Sequence, residues 1–191
     1  EESDDAPYCL FASIKVEGNT SGLWTSSGVP EVELISGSSA PMIKYNSVQN
    51  NKSVVEKVSL PKTSTTLTSF QPDWIANSNG YFTIIMDPLN EIGNGFQANS
   101  IPGTADPSRI VTIDSEYNLY PADKYPGYNI HLPLKRSSEP MKFRIYAGPL
   151  DQKILRKVDS TFTNSVTGYN PKYIDTQSFH GWFSFISEPF A

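Results

Sequence analysis

The chain has 191 residues, 38% hydrophobic and only 18% charged, with 10 Phe, 10 Tyr and 3 Trp. This is enough for one domain with its own core, and it excludes a disordered polyampholyte. A formal net charge of −5 excludes the strong positive field that would attract nucleic acid or anionic lipid, and the single cysteine, Cys9, excludes an intrachain disulfide.

Most of the chain reads as strands and turns. Apolar runs or alternations fall at Cys9–Val16, Val29–Ile35, Ser53–Leu60, Tyr81–Met86, Arg109–Ile113 and Tyr128–Leu134. Cys9 lies in the first of these and is expected to be a buried, inert thiol. Turn clusters separate the runs: Glu17-Gly18-Asn19, Ser36-Gly37-Ser38, Ala76–Gly80, Ile92–Gly95 and Pro102–Pro107. The clearest alternation sets Met141, Phe143, Ile145 and Ala147 on one face and Lys142, Arg144 and Tyr146 on the other, the period of a half-buried strand. Short strands without intervening helical patterns predict a mainly β chain, an antiparallel β-sandwich over residues 1–147.

The period changes after Gly148. Pro149 suits a first helical position, and Leu150, Ile154, Leu155, Val158 and Phe162 fall within an arc of about 140°, with Lys153, Arg156 and Lys157 opposite. This predicts an amphipathic helix over 148–164, packed across the end of the sandwich. Residues 165–191 follow as a polar link, Ser165 to Gln177, and an aromatic segment. Drawn as a helix, Phe179, Trp182, Phe183, Ile186 and Phe190 occupy an arc of about 100°, opposite His180, Ser184, Ser187 and Glu188. Such a stripe suits the membrane–water boundary or docking on the domain itself. No run reaches the roughly 18–20 apolar residues of a spanning helix. The acidic start, Glu1 to Asp5, and the aromatic end suggest a domain cut from a longer polypeptide.

No catalytic constellation emerges. His131 and His180 are far apart, and neither has a second His or Cys at metal-ligand spacing. Asp114-Ser115-Glu116-Tyr117-Asn118 begins like a calcium loop, but Leu119 stands where the turn glycine is needed. Glu31 and Glu33 share one strand face beside core-facing Val32 and Leu34, as a solvated surface pair does. His131 alternates with Ile130 and Leu132, as a surface or satisfied-core imidazole would. No Gly-x-Ser-x-Gly elbow, P-loop or dinucleotide glycine pattern is present. No cofactor, metal or nucleic acid is expected, nor is catalysis.

Three motifs carry a resemblance. Tyr146-Ala147-Gly148-Pro149 resembles the aromatic-x-Gly-Pro step late in the periplasmic domain of YidC-type bacterial membrane insertases. Gly181-Trp182-Phe183-Ser184-Phe185-Ile186-Ser187-Glu188-Pro189-Phe190 is similar to the segment leading into that family's second transmembrane helix. Trp74-Ile75-Ala76 with Gly80-Tyr81-Phe82 resembles its Gly-Trp…Tyr-Phe strand region, although Asp73 stands before Trp74 and His180 before Gly181.

The resemblance implies a mutarotase-like β-supersandwich with one or two short C-terminal helices, at the periplasmic face of the bacterial inner membrane. It implies a non-catalytic role in an insertase and chaperone. The domain would scaffold, contact Sec-translocon accessory subunits, and meet nascent membrane proteins through the full-length protein. It assigns structural roles to Gly148, Pro149, Gly181, Trp182 and Pro189. It assigns contact with the membrane surface to Phe179, Trp182, Phe183, Ile186 and Phe190. Two alternatives remain: a secreted carbohydrate- or peptide-binding β-sandwich using Trp24, Trp74 or exposed Tyr residues as a platform, and a sugar epimerase or lyase, which would need a carboxylate beside His131.

Overall fold

The computed structural model describes residues 5–18, 24–29, 42–49, 52–68, 71–101, 127–134 and 139–177, with the backbone alone for 24–29 and Gln49. Ten strands are described: β1 (Cys9–Ile14), β2 (Trp24–Val29), β3 (Met42–Gln49), β4 (Lys52–Lys57), β5 (Ser64–Leu67), β6 (Trp74–Ser78), β7 (Phe82–Pro88), β8 (Phe96–Ile101), β9 (Gly127–Pro133) and β10 (Met141–Pro149). A helix, α1 (Gln152–Phe162), and one turn of 3-10 helix (Tyr173–Thr176) follow. A six-stranded sheet runs β1-β10-β7-β6-β3-β4 and a four-stranded sheet runs β2-β9-β8-β5. Every pairing between them is antiparallel. The antiparallel sandwich expected from the strand spacing is borne out.

Side-chain alternation sorts the six-stranded sheet into two apolar faces. Inward, Ile43, Tyr45, Ile75, Met86, Met141 and Phe143 meet Phe96, Ala98, Tyr128, Ile130 and Leu132 of the smaller sheet. Asn77 is buried between the layers and donates its amide to the Tyr128 carbonyl, so its polar group is satisfied. Outward, Cys9, Trp74, Ala76, Ile85 and Tyr146 form a second core with Leu155 and Val158 of α1 and with Tyr173. The described residues therefore stack in three layers: sheet, sheet, and an outer layer of helix and turn.

Several expectations are corrected by that third layer. β10 is not half-buried, because Arg144 and Tyr146, on the face assigned to solvent, are 5% and 0% exposed under the outer layer. Ala147 is exposed instead. α1 starts later than predicted. Pro149 ends β10 opposite Phe82, and Asp151 is the N-cap, its carboxylate accepting from the N–H of Lys153 (2.9 Å) and Ile154 (3.0 Å). A side-chain acceptor for otherwise unpaired first-turn donors sets the helix start more strongly than a favourable φ. α1 covers the outer sheet face rather than the end of the sandwich: Leu155 and Val158 point down, and Lys153, Arg156 and Lys157 are exposed. Burying those two apolar side chains is worth about 1.5–3 kcal/mol each.

Strands β3, β5, β6 and β8 have no counterpart among the expected runs, and β2 overlaps one only at Val29. β6 reads Trp-Ile-Ala-Asn-Ser and is buried at every position, so nothing alternates; Ala76–Ser78, read as a turn, belongs to it. The turn itself lies at Asn79–Tyr81, where Gly80 has φ +96° and the Asn79 side chain accepts from the Tyr81 and Phe82 N–H groups. The runs at Arg109–Ile113 and Val29–Ile35 (beyond Val29), with the turns at Ser36-Gly37-Ser38 and Pro102–Pro107, lie outside the described residues.

Candidate functional site

The outer face of the six-stranded sheet carries more than apolar groups. Asp87 on β7 and Arg144 on β10 are direct cross-strand partners, and both are buried. The Asp87 carboxylate accepts from Arg144 Nε (3.1 Å) and from Arg144 Nη2. The Tyr173 hydroxyl donates to the same Asp87 oxygen and accepts from Arg144 Nε at 2.8 Å. The Tyr169 hydroxyl accepts from Arg144 Nη2 at 3.0 Å, and the Phe162 ring lies 4.0 Å from the guanidinium carbon. Burial alone would weaken the charge on Arg144. The Tyr173 and Asp87 groups beside it outweigh that and raise its pKa further, so the guanidinium stays charged.

Around this pair the segment after α1 is bound at two further points to the sheet, and also to Leu150 and to α1. Trp74, fully buried, donates its indole N–H to the Pro171 carbonyl at 2.6 Å. Lys44 donates to the Thr176 carbonyl at 2.7 Å and Gln177 donates to the Leu150 carbonyl at 2.6 Å. On α1, Asp159 accepts from the backbone N–H groups of Tyr173 (2.7 Å) and Ile174 (3.0 Å), which places the 3-10 turn. Burial pushes the Asp159 carboxyl above its ordinary pKa, against the pull of those two N–H groups. Residues 169–177 are thus a clasp that fixes where the chain leaves the sheet, not the polar link expected.

The Tyr-x-Gly-Pro step belongs to the same clasp. A Cβ on Gly148 would lie 2.7 Å from the Tyr8 side chain and 2.9 Å from the Tyr146 hydroxyl, so only glycine lets Tyr8 cross β10 there. The Tyr146 hydroxyl donates to the Pro149 carbonyl at 2.6 Å. The Leu150 N–H bonds the Tyr81 carbonyl at 2.7 Å, so by alternation the N–H that Pro149 lacks would have pointed away from β7.

Of the residues singled out by sequence, Gly148 and Pro149 thus have a structural setting. Phe179, Gly181, Trp182, Phe183, Ile186, Pro189 and Phe190 lie outside the described residues, as do His180, Glu31, Glu33 and Asp114–Asn118. Trp74 is a core anchor and not a platform for a ligand. His131 is half-buried on β9, paired across the sheet with Gln97 and Ser26, so no carboxylate faces it from the neighbouring strands. Burial raises the pKa of the Cys9 thiol to about 11, with Arg144 pulling weakly the other way, in keeping with the inert thiol expected. Among the described residues no group of His, Cys, Asp and Glu could hold a metal, and no helix is long and apolar enough to cross a membrane. Reading by sequence missed Asp87, Tyr169, Tyr173 and Asp159. The available signal was a run of Tyr, Asn and Pro after the helix that is too aromatic for a solvated linker.

A buried pair of this kind predicts an asymmetric response to mutation. Arg144→Met leaves the Asp87 carboxyl, whose pKa burial already raises, without its counter-charge and should cost about 3–5 kcal/mol in urea unfolding, whereas Arg144→Met with Asp87→Leu should recover most of that loss. Equal losses in the single and double variants would contradict the pairing.

No family model matches the chain, and no solved structure matches it. Curated relatives do. The membrane protein insertase YidC of Chlamydia caviae is 43% identical over 188 residues, 97% of this chain and 24% of that protein. Those of Chlamydia muridarum and Chlamydia trachomatis serovar D are each 41% identical over 190 residues, 98% of this chain and 24% of theirs. The match takes in nearly the whole stretch before Trp74, where none of the three motifs falls. Over nearly its whole length the chain is a homologue of the YidC-type membrane protein insertases, and it spans about a quarter of the length of each relative.

Proposed function

We propose that the chain is a non-catalytic domain of a membrane protein insertase, held at the periplasmic face of the bacterial inner membrane. The observation that carries this reading is the identity of 41–43% to three named insertases along 97–98% of the chain. The domain scaffolds the insertase and contacts accessory subunits of the Sec translocon, while nascent membrane proteins are handled by the full-length protein. Its part is positional. The sandwich is a rigid base, and residues 169–177 tie the chain to that base up to Gln177. The segment that follows, Phe179 to Phe190, lies at the membrane–water boundary with Phe179, Trp182, Phe183, Ile186 and Phe190 toward lipid.

The clasp supports this reading physically. A segment that must place its aromatic side chains at a fixed depth needs a fixed point of departure. Lys44 on Thr176 and Gln177 on Leu150 provide one within a few residues of Phe179. The buried position of Trp74 removes a main prop of the sugar-platform alternative.

Two measurements test the proposal. In liposome flotation of the 191-residue chain, Phe183→Glu and Ile186→Glu should each reduce lipid-bound protein while leaving unfolding free energy within about 0.5 kcal/mol of wild type. A loss of several kcal/mol would instead make the stripe part of the core. In affinity purification of the full-length insertase, deleting the region that corresponds to residues 5–177 should lower recovery of Sec accessory subunits. Undiminished recovery would refute the contact.

A further inference from the structure

The two edges of the six-stranded sheet are built differently. β4 carries Lys52, Glu56 and Lys57, the charges with which edge strands deter pairing with another chain. β1, at the other edge, reads Cys-Leu-Phe-Ala-Ser-Ile and has no charge at all. Its two largest side chains, Leu10 and Phe11, are 62% and 67% exposed. They point to opposite sides of the sheet, so the edge presents apolar surface above and below its backbone.

The backbone on this edge has a definite pattern of free groups. Ala147 donates to the Tyr8 carbonyl at 2.9 Å, which makes Tyr8 and Ala147 a hydrogen-bonded pair. Alternation then makes Leu10–Ile145, Ala12–Phe143 and Ile14–Met141 the bonded pairs between β1 and β10. The N–H and C=O groups of Cys9, Phe11 and Ser13 therefore point away from β10. The Cys9 N–H is taken by the Ala6 carbonyl at 3.3 Å. Among the described residues, what this edge offers outward is two donors, Phe11 and Ser13, and three acceptors, Cys9, Phe11 and Ser13.

We propose that this edge pairs with a second copy of itself, antiparallel about a two-fold axis at Phe11, joining two six-stranded sheets into one. In this register Phe11 faces Phe11 of the partner subunit and each Ser13 faces the other copy's Cys9. Each Phe11 N–H reaches the opposing Phe11 carbonyl and each Ser13 N–H reaches the opposing Cys9 carbonyl. Every free donor finds an acceptor, and the donor already used within the chain, Cys9, is the one the register does not need. Leu10 sits beside the small Ala12 of the other copy, so large meets small on the sandwich side. On the helix side the two Phe11 rings meet and extend the edge-to-face contact of Phe11 with Phe162 (ring centroids 6.0 Å apart). A two-fold register sets like residues close together, which a charged strand such as β4 resists and an uncharged one permits. The inference stands apart from the insertase reading, because it uses only this edge.

Sedimentation equilibrium of the 191-residue chain over a range of concentrations tests it. A monomer–dimer equilibrium is expected. Ser13→Pro removes two symmetry-related donors without touching a bond to β10 and should weaken the dimer by about tenfold. Phe11→Lys, which sets two ammonium groups face to face, should weaken it further, and Val48→Lys, at an exposed site away from β1, should leave it unchanged. Thermal melts by circular dichroism confirm that each variant is folded. A chain that stays monomeric at every concentration would overturn the proposal. So would a dimer that both β1 variants leave intact, or a monomer whose edge takes up an unrelated extended peptide instead.

Discussion

A carboxylate and a guanidinium facing each other in the interior impose a condition on everything around them. Each is costly to remove from water, and the ion pair offsets that only if the remaining hydrogen-bonding capacity is also met. Asp87 and Arg144 lie side by side on neighbouring strands, but the sheet alone would leave them half-solvated on its outer face. Tyr173, Tyr169 and the Phe162 ring complete the site, and all three come from the third layer. The outer layer is therefore not an apolar lid that happens to fit. Apolar contacts through Leu155 and Val158 hold it on, and the polar network decides how it must sit.

That division of labour explains what could be read from the sequence. The helix face was legible because Leu155 and Val158 recur at helical period, and β1, β7 and β9 were legible because apolar runs are bounded by turns. β3 and β6 were not, because burial on both faces erases alternation: Lys44 and Asn46 on β3 are buried polar residues that look like solvent-facing ones. Arg144 misled for the same reason. A charged residue on an alternating strand reads as exposed unless its partner is known, and Asp87 lies 57 residues away in the chain. The family was legible from short motifs because they mark steric constraints, such as the missing Cβ at Gly148 beneath Tyr8. The aromatic stripe beyond Gln177 was legible as a pattern only.

The same architecture shapes what the molecule can do. Among the described residues, much of the polar chemistry of the outer face, including Lys44, Trp74, Asp87, Arg144 and Asp159, is spent on holding the third layer in place. A domain built this way suits a positional role, with a rigid base and a fixed point of departure at Gln177. The two edges of its six-stranded sheet add a second contrast, one guarded by charge and the other bare. β5, an edge of the smaller sheet, is also uncharged, and it is the exposed Leu10 and Phe11 that set β1 apart as an edge at risk of pairing.

The central claim is that the sheet and the clasp form one cooperative unit, and native-state hydrogen exchange tests it most directly. The backbone N–H groups of Tyr173 and Ile174 are held by Asp159 and lie on the outer layer. They should exchange with about the same opening free energy as the amides at the centre of β10, because the two layers open together. If Tyr173 and Ile174 instead exchanged at the rate of a fraying loop while β10 stayed protected, the clasp would be a separate flap and not part of one cooperative unit with the sheet.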